Sequence, residues 1–165
     1  MTILIKNIQL LDGTGKPPIK ADVLIKNEKI SSIQQTINYK ADEIIDGRGA
    51  YLAPGFININ NHQDREIDIL FNSGQKDFIS KGITTVIGGQ SGFSLAPLLY
   101  GSIESVKTNI DWHTLSEFFD AIKKRPLGVN FGTFIGHTTV RRDIVREPDF
   151  RNLTPNELKI FNLIL

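Results

Sequence analysis

At Pro54-Gly55 the period of the chain changes, and this change limits what the chain can fold into. Before it, short runs rich in Ile, Val and Leu (TILIKN, IQLLD, DVLIKN, KISSIQQ and EIID) are separated by Asp12-Gly13-Thr14-Gly15, Asn27-Glu28-Lys29 and Asp46-Gly47-Arg48-Gly49. β-Branched runs read as strands, and the Gly, Asn and Asp clusters between them read as turns, because those residues tolerate turn backbone. Residues 1–53 are expected to form a small antiparallel sheet. In DVLIKN, Asp22, Leu24 and Lys26 alternate with Val23 and Ile25, so one face of that strand is expected to be wet.

After Pro54-Gly55, strands and helices alternate. FININ (56–60) and ITTVIGG (83–89) read as buried strands and NFGTFIG (130–136) as a third strand. A Ser73-Gly74 start and a Lys81-Gly82 stop bracket a short helix from Gln75 to Ser80. Thr114-Leu115-Ser116-Glu117 has the form of a capping box and opens a helix running to about Lys124. Thr154-Pro155-Asn156-Glu157 is a second capping box with Pro at the first helical position, and Leu158, Phe161 and Leu165 then share one helical face. The charges at Arg141-Arg142-Asp143 and Arg146-Glu147 read as a solvated face with local ion pairs. The β-α order implies a parallel sheet with right-handed crossovers. No stop signal follows the last helix, and a full (β/α)8 barrel needs roughly 250 residues. A truncated barrel is therefore favoured over a short α/β protein whose last helix frays, since three units leave two unpaired sheet edges.

Parallel sheets covered by helices collect their chemistry at the C-terminal ends of the strands. Three such ends carry polar residues: Asn60, His62, Gln63 and Asp64; then Gln90, Ser91 and Ser94; then His137 with Thr138, Thr139 and Arg141. Asn60 and His62 lie two apart and point the same way on a strand. That is the spacing of a chelating His-x-His pair, with an amide in place of the first imidazole, and an Asn carbonyl is a poor zinc partner. The other reading makes His62 a hydrogen-bonded loop residue beside Asn61 and Asp64. Gly89-Gln90-Ser91-Gly92-Phe93 misses the nucleophile elbow because its last glycine falls one place early. A triad of Ser91, His137 and Asp64 has no support in the spacing. His113, ahead of a capping box, reads as a surface residue.

The chain's formal net charge of +1 makes no electrostatic case for nucleic acid or acidic lipid. It has no Cys, which excludes disulfides and thiolate metal sites and fits a reducing compartment. The N-terminal MTILIKNIQLLDG alternates and lacks a signal-peptide core, and no apolar run is long enough to span a bilayer. A cytoplasmic protein with no membrane or nucleic-acid partner is expected, and an oligomer is compatible with the open sheet edges.

Four segments together resemble a known family: LIKNIQLLDGTGKPPIKADVLIKNEKISSI, IIDGRGAYLAPGFININNHQD, KGITTVIGGQSGFSLAPL and FIGHTTVRR. In this order and spacing they are similar to the N-terminal portion of the amidohydrolase superfamily, and within it the N-acyl-D-amino-acid deacylase (D-aminoacylase) group. The resemblance implies an α/β fold: an N-terminal β-sandwich part at 1–53, then the first three β/α units of an incomplete TIM-type (β/α)8 barrel at 54–165. It implies hydrolysis of a non-peptide C–N amide bond in an N-acyl amino acid or related small amide. It also implies zinc or another divalent metal, with later ligands on strands that follow. The metal positions of the resemblance fall on Asn60, His62 and Ser91, where relatives carry His, His and a bridging Cys; an Asp common before the pair is Asn58. Asp64 and His137 are left as substrate-contacting groups, and no catalytic residue is assigned. Such a chain on its own is expected to be inactive. The alternative is a non-catalytic relative that binds a small molecule or a partner through a degraded metal site.

Overall fold

The computed structural model describes residues 1–60, 72, 74–100, 110–146 and 151–165. The chain divides into two compact units, Met1–Pro54 and Gly55–Leu165.

In the first unit the strands are β1 (Thr2–Leu10), β2 (Ile19–Lys26), β3 (Lys29–Gln34), β4 (Glu43–Asp46) and β5 (Tyr51–Leu52), ordered β3-β2-β1-β4 with β5 also on β1. The sheet is mixed, where an antiparallel one was expected. β1 runs antiparallel to β2 but parallel to β4 and β5. The runs TILIKN and IQLL are one strand, interrupted by a bulge between Ile5 and Ile8 at which Asn7 adopts φ 57°. The partner makes the same detour. β4 pairs with the first half of β1 and β5 with the second, and between them Gly47 N donates to Lys6 O (2.8 Å) and Gly49 N to Asn7 O (2.7 Å).

The expected wet face of β2 is also corrected. Ala21, Asp22, Val23 and Leu24 are all buried, and Asp22 is only 3% exposed. Its Oδ1 accepts from Asn7 N (3.0 Å) and its Oδ2 from Ile37 N (2.9 Å), so the carboxylate secures both the bulge and the segment after β3. Because side chains alternate along β2, Leu24 joins Leu4 and Ile37 in one apolar cluster while Val23 and Ala21 join Ile8 in another.

The second unit holds β6 (Phe56–Asn58), β7 (Ile83–Gly88) and β8 (Asn130–Thr133), paired in parallel in the order β6-β7-β8. β6 is shorter than expected and, as an edge strand of this sheet, leaves Phe56 and Ile57 exposed where a buried strand was expected. Its helices are α1 (Lys76–Ile79), α2 (Leu115–Lys123), α3 (His137–Val145) and α4 (Pro155–Ile164). Both expected capping boxes form: Thr114 and Thr154 each accept from the backbone of the Glu three residues on, which reaches back to the cap. α1 is a single turn, and its cap Gln75 takes a left-handed φ of 46°. Leu95, Ala96, Leu98, Ile110, Trp112 and Phe118 form the core, with Phe131 of β8 against it. Phe118 is fully buried, and Trp112 Nε1 donates to Leu95 O (2.7 Å), which lets an indole sit inside the cluster.

α3 was not expected, and its charges are not all solvated. Asp143 is 7% exposed and accepts from Leu99 N at 2.7 Å. The Arg146 guanidinium lies 3.7 Å from the Tyr100 ring centroid, and Arg141 donates to Arg151 O.

Candidate functional site

The parallel register fixes where the strand ends lie. Asn58 stands opposite Val86, and Val86 opposite Phe131, so the C-terminal ends of β6, β7 and β8 open on one edge of the sheet. Beyond β6 the backbone turns at once, with Asn60 N donating to Asn58 Oδ1 at 3.1 Å, and Asn60 is exposed. Asn61, His62, Gln63 and Asp64 lie outside the described residues.

Beyond β7 the chain makes a tight turn that only glycine permits at two places. Gly89 has φ 78°, and a Cβ there would lie 2.2 Å from Phe134 O; Gly92 has φ 84°. Gly92 N closes the turn on Gly89 O at 3.3 Å. This turn is bound tightly to the start of α3. Gly92 O accepts from Thr138 N (2.8 Å) and Thr139 N (3.3 Å), two of the amides that a helix N-terminus leaves without intrahelical partners. Ser94 Oγ accepts from Gly136 N (2.9 Å), and Ser94 N donates to Thr139 Oγ1 (2.9 Å), which donates in turn to Ser94 O (3.3 Å). Asp143, one helical turn further on, holds the later part of the same loop through Leu99 N, and burial pushes its carboxyl above the usual carboxylate range.

Ser91 sits in the middle of this turn. Its Oγ is buried and has no hydrogen-bond partner among the described residues. Ser91 and Asn60 thus follow neighbouring strands at one edge of the sheet. His137 is used differently: it is the first residue of α3, exposed, with its ring centroid 5.2 Å from that of Phe161 on α4. Its described contact is a packing contact between two helices. His113 is exposed, and its Nδ1 is 3.0 Å from Leu98 O. Sequence reasoning missed the Ser94–Thr139 pair and the buried Asp143, since the partners they hold are more than forty residues away.

The donors can be tested against the metal that the resemblance implies. Among the described residues no three His, Cys, Asp or Glu side chains come together in a way that could hold a metal ion. The orphaned Ser91 Oγ stands at the right edge, but a hydroxyl keeps its proton near neutral pH and an amide carbonyl is a weak ligand for zinc. The described donors therefore do not fit a zinc centre.

No protein-family model matches the chain. It is 29% identical over 161 residues to the D-aminoacylase of Alcaligenes xylosoxydans xylosoxydans, covering 94% of this chain and 32% of that protein. It is 31% identical over 147 residues to the N-acyl-D-aspartate deacylase of the same organism, covering 84% of this chain and 28% of that one. Its fold matches the N-acyl-D-glutamate deacylase of Bordetella bronchiseptica, solved with zinc and a phosphonate mimic of the tetrahedral intermediate, at a TM-score of 0.85 and 26% identity. That match covers 99% of this chain and 35% of the deacylase. The chain thus spans about a third of the length of these relatives. By sequence and by fold it is a homologue of the N-acyl-D-amino-acid deacylases, the D-aminoacylase group of amidohydrolases.

Proposed function

We propose that the protein to which this chain belongs is an amidohydrolase that cleaves the amide C–N bond of an N-acyl amino acid or a related small amide. The observation that carries this reading is the match to the glutamate deacylase over 99% of the chain at a TM-score of 0.85. In this reading 1–53 contribute part of a small β-sandwich, and 54–165 contribute the first three β/α units of a (β/α)8 barrel. The parallel β6-β7-β8 sheet, with helices between its strands, supports the second assignment.

The reacting amide is read at the edge where Asn60 and Ser91 stand. The Asn60 side chain offers both a carbonyl acceptor and an amide donor, and the Ser91 hydroxyl is held by a clamped turn. Asp64 and His137 remain the candidate substrate-contacting groups, His137 with its ring already packed on Phe161. A divalent metal, as in the zinc-bound relative, would polarise the amide carbonyl and supply an activated water. Because the described donors do not fit such a centre, its place here depends on His62 and on parts of the protein outside this chain. The chain alone is accordingly expected to be inactive.

The test is release of free amino acid from N-acetyl-D-glutamate, N-acetyl-D-aspartate and neutral N-acetyl-D-amino acids by the full-length protein. The expected result is release that a chelator abolishes and zinc restores. No release from any of them, with or without added metal, would refute the reading.

The donor set at Asn60 and Ser91 favours one second reading, a non-catalytic relative that keeps the fold and binds a small molecule. Restoring stronger donors by Asn60→His together with Ser91→Cys distinguishes the two. A gain in bound zinc accompanied by new hydrolysis favours the non-catalytic reading for the natural protein; hydrolysis already present before the change excludes it.

A further inference from the structure

The donor chemistry at the β7 turn disagrees with the metal centre that homology implies, and the disagreement comes down to one atom. Ser91 Oγ is buried without a partner among the described residues. A buried hydroxyl left unpaired costs free energy, so natural structures rarely keep one without a use for it. The turn cannot shift to satisfy the hydroxyl internally. Gly89 is pressed against the Phe134 backbone, and Gly92 O is committed to Thr138 N and Thr139 N. Immediately downstream, Ser94 is tied on both its backbone N–H and its Oγ, to Thr139 and Gly136. Ser91 is therefore held in a fixed position in the turn that follows β7.

We infer that Ser91 is a hydrogen-bonding group of the site and not a metal ligand, its Oγ–H donating to a neutral oxygen, either a water or the carbonyl oxygen of a bound amide. A protonated hydroxyl is a good donor to such an oxygen and a poor partner for a borderline-soft divalent ion. No cluster of stronger ligands among the described residues offsets that weakness. That the bound molecule is an amide rests on the proposed function; that Ser91 does not ligate a metal does not.

Two titrations of the full-length protein test this, each comparing wild type with Ser91→Ala. The first follows Co2+ uptake by equilibrium dialysis. The expected result is an affinity unchanged within about threefold, and a wild type that takes up no cobalt also supports the absence of a metal-ligand role for Ser91. A larger loss of cobalt affinity in Ser91→Ala would overturn the inference. The second follows N-acetyl-D-glutamate by calorimetry, where loss of one neutral hydrogen bond weakens binding by about three- to tenfold. Unchanged binding would overturn donation to a bound amide. If neither protein binds N-acetyl-D-glutamate, the proposed function loses support and the cobalt comparison alone decides the role of Ser91. Ser91→Cys is the positive control for the turn: a thiolate-to-cobalt absorption band there shows that the position reaches a metal once its side chain suits one.

Discussion

Replacing Thr139 by Val tests how much the Thr139 hydroxyl contributes to holding the loop after β7. The change keeps the shape of the side chain and removes Oγ1, which accepts from Ser94 N at 2.9 Å and donates to Ser94 O at 3.3 Å. Both Ser94 and Thr139 are buried, at 5% exposure each, so water cannot readily replace the lost partner. Leaving the Ser94 N–H unsatisfied costs about 1–3 kcal/mol. The longer bond to Ser94 O adds little, and the buried methyl that replaces the hydroxyl returns about 0.8 kcal/mol. The net expectation is a loss of about 0.2–2 kcal/mol, read as a lower denaturant midpoint at unchanged slope. Thr139→Ser keeps the hydroxyl and serves as the control, losing only a methyl. Amide exchange locates the effect: Ser94 N–H should exchange faster in the Val variant and not in the Ser variant. A Thr139→Val protein in which Ser94 N–H stays as protected as in wild type would refute the clamp.

Three hydrogen-bonded carboxylates make further predictions. Asp22→Asn keeps one acceptor but turns an amide N–H2 toward either Asn7 N or Ile37 N, and should destabilise by about 2–3 kcal/mol in chemical denaturation. Glu157, held by Arg151 and by the Thr154 cap, has its pKa lowered from 4.5 to about 2. Its stabilising contribution is therefore present above pH 4.5 and lost as the pH falls toward 2, and Glu157→Gln should flatten that part of the stability profile. Asp143 is shifted the other way, chiefly by burial, so its contribution is greatest below 3.8 and declines as the pH rises through its raised folded value. Asp143→Asn, which keeps one oxygen for the Leu99 and Tyr100 backbone N–H groups, should lose this pH slope.

The elements whose signals are local were legible in the sequence. Both capping boxes, at Thr114 and Thr154, form where Ser/Thr-x-x-Glu patterns stand, because the cap and its partner lie within one turn. The parallel β6-β7-β8 order followed from the alternation of apolar runs and helices. α3 was missed for a physical reason. Its N-cap is Gly136, which has no side chain to offer, and the exposed amides of its first turn are satisfied by Gly92 O from a loop more than forty residues away. A helix capped from elsewhere in the fold carries no cap signal of its own. Asp22 was misread because strict alternation takes no account of a bulge on the neighbouring strand. Asn7 turns its N–H toward the carboxylate only because β1 deviates there.

The candidate site divides in the same way. The Gly-flanked turn at Ser91 was visible as a glycine pair after a buried strand, and the positive φ angles of Gly89 and Gly92 account for it. That Ser91 Oγ is left without a partner among the described residues depends on the packing around it and could not be read from spacing. Nor could the contact of His137 with Phe161, which joins residues on two helices. Asn60 was expected on a strand with His62, but the strand ends at Asn58 and the chain turns on the Asn58 side chain. His62 lies outside the described residues.

The central claim is that the deacylase likeness of this chain extends to its chemistry, and the most direct measurement is stereochemical. The full-length protein is given N-acetyl-D-glutamate and N-acetyl-L-glutamate separately under identical conditions with added zinc, and kcat/KM is determined for each from free glutamate released. The account predicts hydrolysis of the D substrate at least about tenfold more efficient than of its mirror image, a difference of about 1.4 kcal/mol in transition-state stabilisation. Equal rates or a preference for the L form would contradict it.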